Sequence, residues 1–158
     1  FLLKNYVQEF GKNKKAYLVL LGDGPERQKL QEVYASESMD FRGAVNNVNE
    51  YLRAADVYVS TSKSEGLPIG VLEAMATGLP VVLSDIRQHK EVIEVNKDSG
   101  FIYRQGDGSD FTKKLQLAFT VDYESASDAA YSVAHSAFDA KKMSDEYQNC
   151  YTKIAEEV

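Results

Sequence analysis

Five short apolar runs, each closing at a glycine or a polar turn, are what most limits the shapes open to this chain. Tyr17–Leu21 runs into Gly22-Asp23-Gly24-Pro25 and reads as a buried strand followed by a tight turn. Met39–Arg42 ends at Gly43, Asp56–Thr61 alternates, Pro80–Leu83 is β-branched, and Gly100–Arg104 closes the series. Helical spacing covers Phe1–Phe10, stopped by Gly11, then Glu26–Tyr34, Val48–Ala55 and a segment ending near Glu91-Val92-Ile93. Pro25 suits a helix start. From Asp110 onward the pattern is helical only, with Ser144 as an N-cap ahead of Asp145 and Glu146. Short apolar strands alternating with helices build parallel βαβ units, so the expected class is α/β, a parallel sheet flanked by helices. In such sheets ligands sit beyond the carboxyl ends of the strands. The loops in that position are Gly22–Pro25, Gly43–Asn47, Ser62–Pro68 and Ser84–His89.

Size and charge narrow the function. With 158 residues, 44% of them hydrophobic, the chain can bury one core and hardly two, and is read as a single domain over 1–158. Its apolar runs are too short to span a bilayer. A formal charge of −6 argues against nucleic acid as a partner, since that wants a basic surface, and an acidic domain gains nothing from anionic lipid. The lone cysteine, Cys150, rules out an internal disulfide and suits a reducing cytosol. His89 and His135 have no cysteine or carboxylate at metal-ligand spacing and read as structural or surface residues, with no metal site expected. Ser62 and Ser64 lack a paired base and read as turn residues.

The chemistry concentrates in Ser62–Val82, where Glu65 and Glu73 stand with seven residues between them across a turn bearing Gly66, Pro68 and Gly70. Pro68 is preorganised for a first helical turn, which leaves Glu65 in the loop and puts Glu73 along the helix. Gly66 and Gly70 remove side chains where a phosphate would approach the backbone. The helix start offers free N–H donors and a partial positive charge, while each carboxylate can accept from sugar hydroxyls. A nucleotide sugar needs both. Ala74, Ala76 and Gly78 let this helix lie close to the sheet, and Gly78 with Pro80 stops it. Two glutamates near a helix start are, taken alone, solvated residues matched to the helix dipole; the surrounding glycines and prolines are what turn the reading.

That block resembles, nearly residue for residue, the E-x7-E signature of retaining glycosyltransferases with the GT-B fold, the glycosyl transferases group 1 or family 4. Leu20–Pro25, Phe41–Val45, Ala55–Ser60, Pro80–Asp85 and Glu91–Gly100 resemble further family segments in the right order. The resemblance implies one Rossmann-like half of a GT-B fold, with terminal helices packed on it by Tyr103, Tyr123, Tyr131, Tyr147 and Tyr151. It implies transfer, with retention, of a sugar from a nucleotide-diphosphate donor to a saccharide or lipid-linked acceptor, in polysaccharide or exopolysaccharide assembly of bacterial type. Glu65 would be the catalytic carboxylate, contacting the transferred sugar, and Glu73 would hold the ribose. Gly22, Gly24, Ala44, Val45 and Gly66 would bind donor, with the amides of Leu67, Pro68 and Ile69 along the diphosphate. Val45 would offer its backbone, its side chain being a core type. No cofactor or obligatory metal is implied.

Family donor halves open with a strand and a Gly-Arg followed by a lysine, and face an N-terminal acceptor half. None of these occurs here, so the resemblance implies a carboxyl-terminal fragment, inactive alone, from a cytoplasmic protein whose absent parts make the acceptor contact and any membrane contact. Two alternatives stay open: a GT-B sugar-nucleotide epimerase, or phosphorylase, and a non-catalytic nucleotide-binding module.

Overall fold

The computed structural model describes residues 1–11 and 16–156. In chain order the elements are α1 (Leu2–Phe10), β1 (Leu18–Leu21), α2 (Arg27–Tyr34), β2 (Met39–Gly43), α3 (Val48–Ala54) and β3 (Tyr58–Ser60). These are followed by α4 (Ile69–Ala76), β4 (Val81–Ser84), α5 (Arg87–Val95), a short 3-10 turn (Lys97–Ser99) and β5 (Gly100–Tyr103). Helices α6 (Gly108–Ala118), α7 (Tyr123–Ala137) and α8 (Ala140–Glu156) complete the chain. All five expected strands are present, and the α/β class with parallel pairing holds.

The sheet comes in two pieces. Among the described residues β1 pairs only with β2, from Leu18 opposite Met39 to Leu21 opposite Gly43, with a bulge between Leu20 and Leu21. β3, β4 and β5 form a separate three-stranded parallel sheet in which Tyr58 faces Val81 and Val81 faces Gly100. Both pieces share one core layer. Leu18 and Leu20 of β1, Val57 and Val59 beside β3, and Val82 of β4 pack against Leu3, Tyr6, Phe111 and Leu115 of α1 and α6. On the opposite face Val81 and Leu83 pack against Val71, Met75, Val92 and Val133 of α4, α5 and α7. β4 is therefore sealed on both sides, as a parallel strand requires, with Val81, Val82 and Leu83 at 0% exposure. β1 is not the buried strand that its apolar run predicts: Val19 is 39% exposed, because β1 is paired along one edge only.

Helix α4 ends in a Schellman motif. Gly78, at φ +81°, turns the chain through the left-handed region. Its N–H donates to Met75 O at 2.9 Å, and Leu79 N–H donates to Ala74 O at 3.1 Å. Leu79 then packs on Ala74 and Leu52, the apolar contact that accompanies this cap. Ala74 is fully buried as expected, whereas the close neighbour of Gly78 is Ser127 of α7 rather than the sheet. Ala76 instead faces out.

Two expectations at the carboxyl end are corrected. α8 runs unbroken from Ala140, so Ser144 lies inside the helix rather than capping it. Tyr123, Tyr131, Tyr147 and Tyr151 are 48–66% exposed rather than packed on the domain, and only Tyr103 is buried. No helix among the described residues is long and apolar enough to cross a membrane.

Replacing Gly78 by alanine should cost about 1–2 kcal/mol for a left-handed non-glycine backbone. A further cost arises because the new Cβ would lie 2.6 Å from Ser127 Oγ. Urea unfolding of G78A, S127A and the double variant separates the two parts: S127A added to G78A should recover only the clash.

Candidate donor-binding site

Three turns converge at the carboxyl ends of β1, β2 and β3. Gly22 after β1, Ala44 and Val45 after β2, and Gly70 and Glu73 on α4 all line one cavity of about 1110 Å³. The turn after β1 is drawn to β2 by backbone and side chain together. Gly22 N–H donates to Gly43 O at 2.7 Å, and Arg27 donates to Phe41 O at 3.0 Å while facing Asp23 at 3.5 Å. Gly43, at φ +76°, leaves the room that Arg27 fills, since a Cβ there would lie 3.0 Å from the guanidinium. Arg27 was not singled out from the sequence; as a helical residue after a turn it carries no motif.

The expected amides need correction in their detail. Gly24 N–H is taken by Asp23 Oδ1 at 2.8 Å, and Gly24 lies outside the cavity lining. Pro68 has no N–H and sits at the N-cap of α4, one position before the first helical residue. Its carbonyl accepts from Val71 and Leu72 at 3.0 and 3.1 Å, and Ile69 N–H is spent on Leu67 O at 2.9 Å. The free donors are therefore Gly66, Leu67 and Gly70, whose N–H groups make no hydrogen bond among the described residues. Leu67 and Ile69 are 54% and 60% exposed, and line a smaller pocket of about 310 Å³ together with Glu73, His135 and Phe138.

The two glutamates and the first turn of α4 gather around Tyr58. Its hydroxyl lies 2.8 Å from where a Cβ on Gly70 would stand. Gly70 is thus small for the sake of Tyr58, and not only for an approaching ligand. Burial raises the Tyr58 pKa, and the charges of Glu65 and Glu73 raise it further, so this phenol stays protonated. Tyr58 is a candidate site residue, lining the cavity, that the sequence reading missed, because an aromatic in an apolar strand looks like core.

The loop carrying Glu65 is pinned from β4. Ser84 Oγ donates to Ser62 O at 2.6 Å, and Gln105 Nε2 donates to the same carbonyl at 3.2 Å. Since the Ser84 proton is committed, His89 donates from Nδ1 to Ser84 O at 3.0 Å, which leaves Nε2 as the bare nitrogen. His89 is fully buried, and its Nε2 has no partner among the described residues. Burial lowers its pKa against the opposing effects of the Ser84 bond and the Glu65 charge. The expectation of a structural histidine fits His89. His135 is exposed and stacks on Tyr131 at 3.8 Å. Arg87 and Lys90 turn away from the cavity, to Glu91 at 2.7 Å and Asp85 at 3.8 Å.

Known proteins share the family and the fold of this chain. The family model for glycosyl transferases group 1 matches residues 1–120. EpsD of Bacillus subtilis (strain 168), named as a glycosyltransferase, is 33% identical over 106 residues, which is 65% of this chain and 28% of that protein. The N-acetyl-alpha-D-glucosaminyl L-malate synthase of Bacillus anthracis is 27% identical over 161 aligned positions, 96% of this chain and 42% of the relative. The chain thus spans less than half the length of these relatives. Among solved structures, a glycosyltransferase from Rickettsia africae ESF-5 superposes with a TM-score of 0.85 at 18% identity, over 99% of this chain and 45% of that one. The pneumococcal O-GlcNAc transferase GtfA, in complex with UDP and GlcNAc, gives 0.81 at 18% identity, over 98% and 32%. At these identities the superpositions establish the fold.

Neutral burial of His89 gives a pH signature. The unfolded chain takes up a proton on this imidazole below about pH 6.5, whereas the folded chain resists it to lower pH. The stability that His89 contributes is complete above pH 6.5 and is lost as pH falls through its lowered folded-state pKa. Urea midpoints measured between pH 7.5 and 5 should fall for the wild type, and H89Q should flatten that part of the slope. At the other end of the site, G70A should displace Tyr58 and lower the melting temperature, with Y58F in the same chain recovering part of the loss.

Proposed function

The chain belongs to the glycosyl transferases group 1 family, and on that premise we propose that it is the donor-binding half of a retaining glycosyltransferase. It takes a nucleoside diphosphate sugar and hands the sugar to a saccharide or lipid-linked acceptor held by another domain of a longer protein. The observation that carries this reading is that the segment after β3 holds Glu65, Glu73 and three uncommitted N–H groups, and its Gly70 and Glu73 share one cavity with Gly22, Ala44 and Val45. The partial coverage of the relatives fits a second domain.

In this reading the base and ribose enter the cavity beside Ala44 and Val45, and Glu73, exposed on α4, accepts from the ribose hydroxyls. The diphosphate lies across Gly66, Leu67 and Gly70, where N–H donors and the helix start meet its charge. Transfer breaks the bond between the anomeric carbon and the diphosphate oxygen and forms one to an acceptor oxygen, which loses its proton. The leaving diphosphate keeps the electron pair. Donors already aimed at that oxygen stabilise the charge without reorganising, which is where such sites gain most. Glu65, half-buried in the loop, contacts hydroxyls of the transferred sugar. The Tyr58 phenol, kept protonated by burial and by the charges of both glutamates, adds no charge to this part of the site. The relatives' names support assembly of bacterial surface saccharides as the setting: one is an amylovoran biosynthesis glycosyltransferase, another an O-antigen biosynthesis glycosyltransferase.

The test is a titration of isotope-labelled chain with UDP, GDP and ADP, read by two-dimensional amide NMR. One nucleotide should shift Ala44, Val45, Gly66, Leu67 and Gly70, and E73A should weaken it tenfold or more, in keeping with about 1.5–3 kcal/mol for hydrogen bonds to a charged group. Shifts that avoid these residues, or binding indifferent to E73A, would sink the assignment.

A further inference from the structure

The hydrogen bonds that join β4, α5 and the Glu65 loop turn on the place of one proton. Ser84 Oγ has a single proton to give, with the Ser62 carbonyl at 2.6 Å and His89 Nδ1 at 3.1 Å as acceptors. His89 Nδ1 also lies 3.0 Å from the Ser84 carbonyl. It therefore stands between the two oxygens of one serine, and two arrangements share the same heavy atoms. With the proton on Nδ1, the imidazole donates to Ser84 O and the hydroxyl donates to Ser62 O. With Nδ1 bare, the hydroxyl turns to the imidazole instead. Ser84 O then loses its side-chain donor, and Ser62 O keeps only the amide of Gln105, exposed and at 3.2 Å.

Burial decides between them. Ser84 and His89 are both at 0% exposure, and His89 Nε2 meets no partner among the described residues. In the first arrangement the idle atom at Nε2 is a lone pair. In the second it is an N–H, and a buried N–H without an acceptor is the rarer orphan in folded proteins. The first arrangement also makes two hydrogen bonds to carbonyls where the second makes one to a nitrogen. The proton belongs on Nδ1.

We propose that His89 is a positioning residue for the Glu65 loop: its Nδ1–H tautomer occupies the Ser84 carbonyl and so leaves the Ser84 proton to the Ser62 carbonyl, which opens the loop. His89 acts through the direction of one hydroxyl. A ring of the same shape with its proton on Nε2 fills the same space and releases the loop. What the loop carries makes this matter: Glu65, then Gly66 and Leu67 with their free N–H groups. The consequence for ligand binding rests on the donor-site reading; the placement of the proton and of the loop does not.

The test starts from the isotope-labelled chain at pH 7.5 without ligand. Long-range proton–nitrogen correlation of the imidazole should show a proton on Nδ1 and none on Nε2. Three variants follow, with the Val82 and Leu83 amides reporting that the fold is intact. S84A removes the hydroxyl and keeps the carbonyl. H89N keeps an N–H two bonds from Cβ, where Nδ1 stands, whereas H89Q moves it one carbon further, to the place of Nε2. In S84A and H89Q the Ser62 carbonyl resonance should shift, and the order parameters of Lys63–Glu65 should drop by about 0.2, the step from rigid towards flexible backbone. H89N should stay with the wild type. A proton on Nε2, no response in S84A, or H89N responding as H89Q does overturns the proposal; should H89Q not fold, the tautomer and S84A decide it. Titration with UDP, GDP and ADP then separates this proposal from the donor reading. A nucleotide that binds should bind roughly three- to tenfold more weakly to S84A and H89Q, the range of one hydrogen bond. If none binds while the loop responds as described, the donor reading falls and the positioning stands. If one binds and needs Glu73 but is indifferent to S84A, the positioning falls and the donor reading stands.

Discussion

The site hangs from β4. It is paired along both edges and sealed on both faces, and Ser84 at its carboxyl end is the point from which the functional loop is suspended. The Ser84 hydroxyl holds the Ser62 carbonyl, and the Ser84 carbonyl is held in turn by His89. A buried hydroxyl that gives its only proton to one carbonyl fixes the direction of that bond, and with it the start of the Glu65 loop. The other end of the functional segment is set by Pro68 at the N-cap and by the left-handed turn at Gly78. Glu65 and Glu73 thus owe their placement to residues outside the cavity lining.

His89 shows how much that suspension costs. Its Nε2 is buried with no donor facing it among the described residues, which in a protein interior is worth about 1–3 kcal/mol against folding. The imidazole is kept for what Nδ1 does. A leucine of similar size would fill the volume and leave the Ser84 carbonyl without its partner.

The strands, the α/β class and the outline of the α4 region were legible because they rest on local chemistry: apolar runs of strand length, glycine at a left-handed position, proline at a helix entrance. Glu65 and Glu73 stood out as candidates from their spacing. What escaped depends on partners distant in sequence. Tyr58 has the composition of core, and only the packing of Gly70 against its hydroxyl reveals it. Val19 reads as buried because pairing on one side cannot be told from pairing on two. The tyrosines of α7 and α8 carry the sequence of a packed helix, yet the helices leave them in water. Which N–H groups are free was also beyond sequence, since Ile69 loses its donor to a turn that only coordinates show.

The Schellman cap at Gly78 and the contact with Ser127 hold one end of α4, while its other end opens into a loop tethered at Ser62. The anchoring of α4 is thereby uneven along its length: two backbone bonds and a packed serine at one end, a loop contact at the other. A sequence can then vary in the exposed positions of the loop, Lys63, Ser64 and Leu67 among them, without drawing on the stability of the core. Such a division lets one scaffold be retuned to new ligands by changes at its surface, with the anchored end as the inherited part.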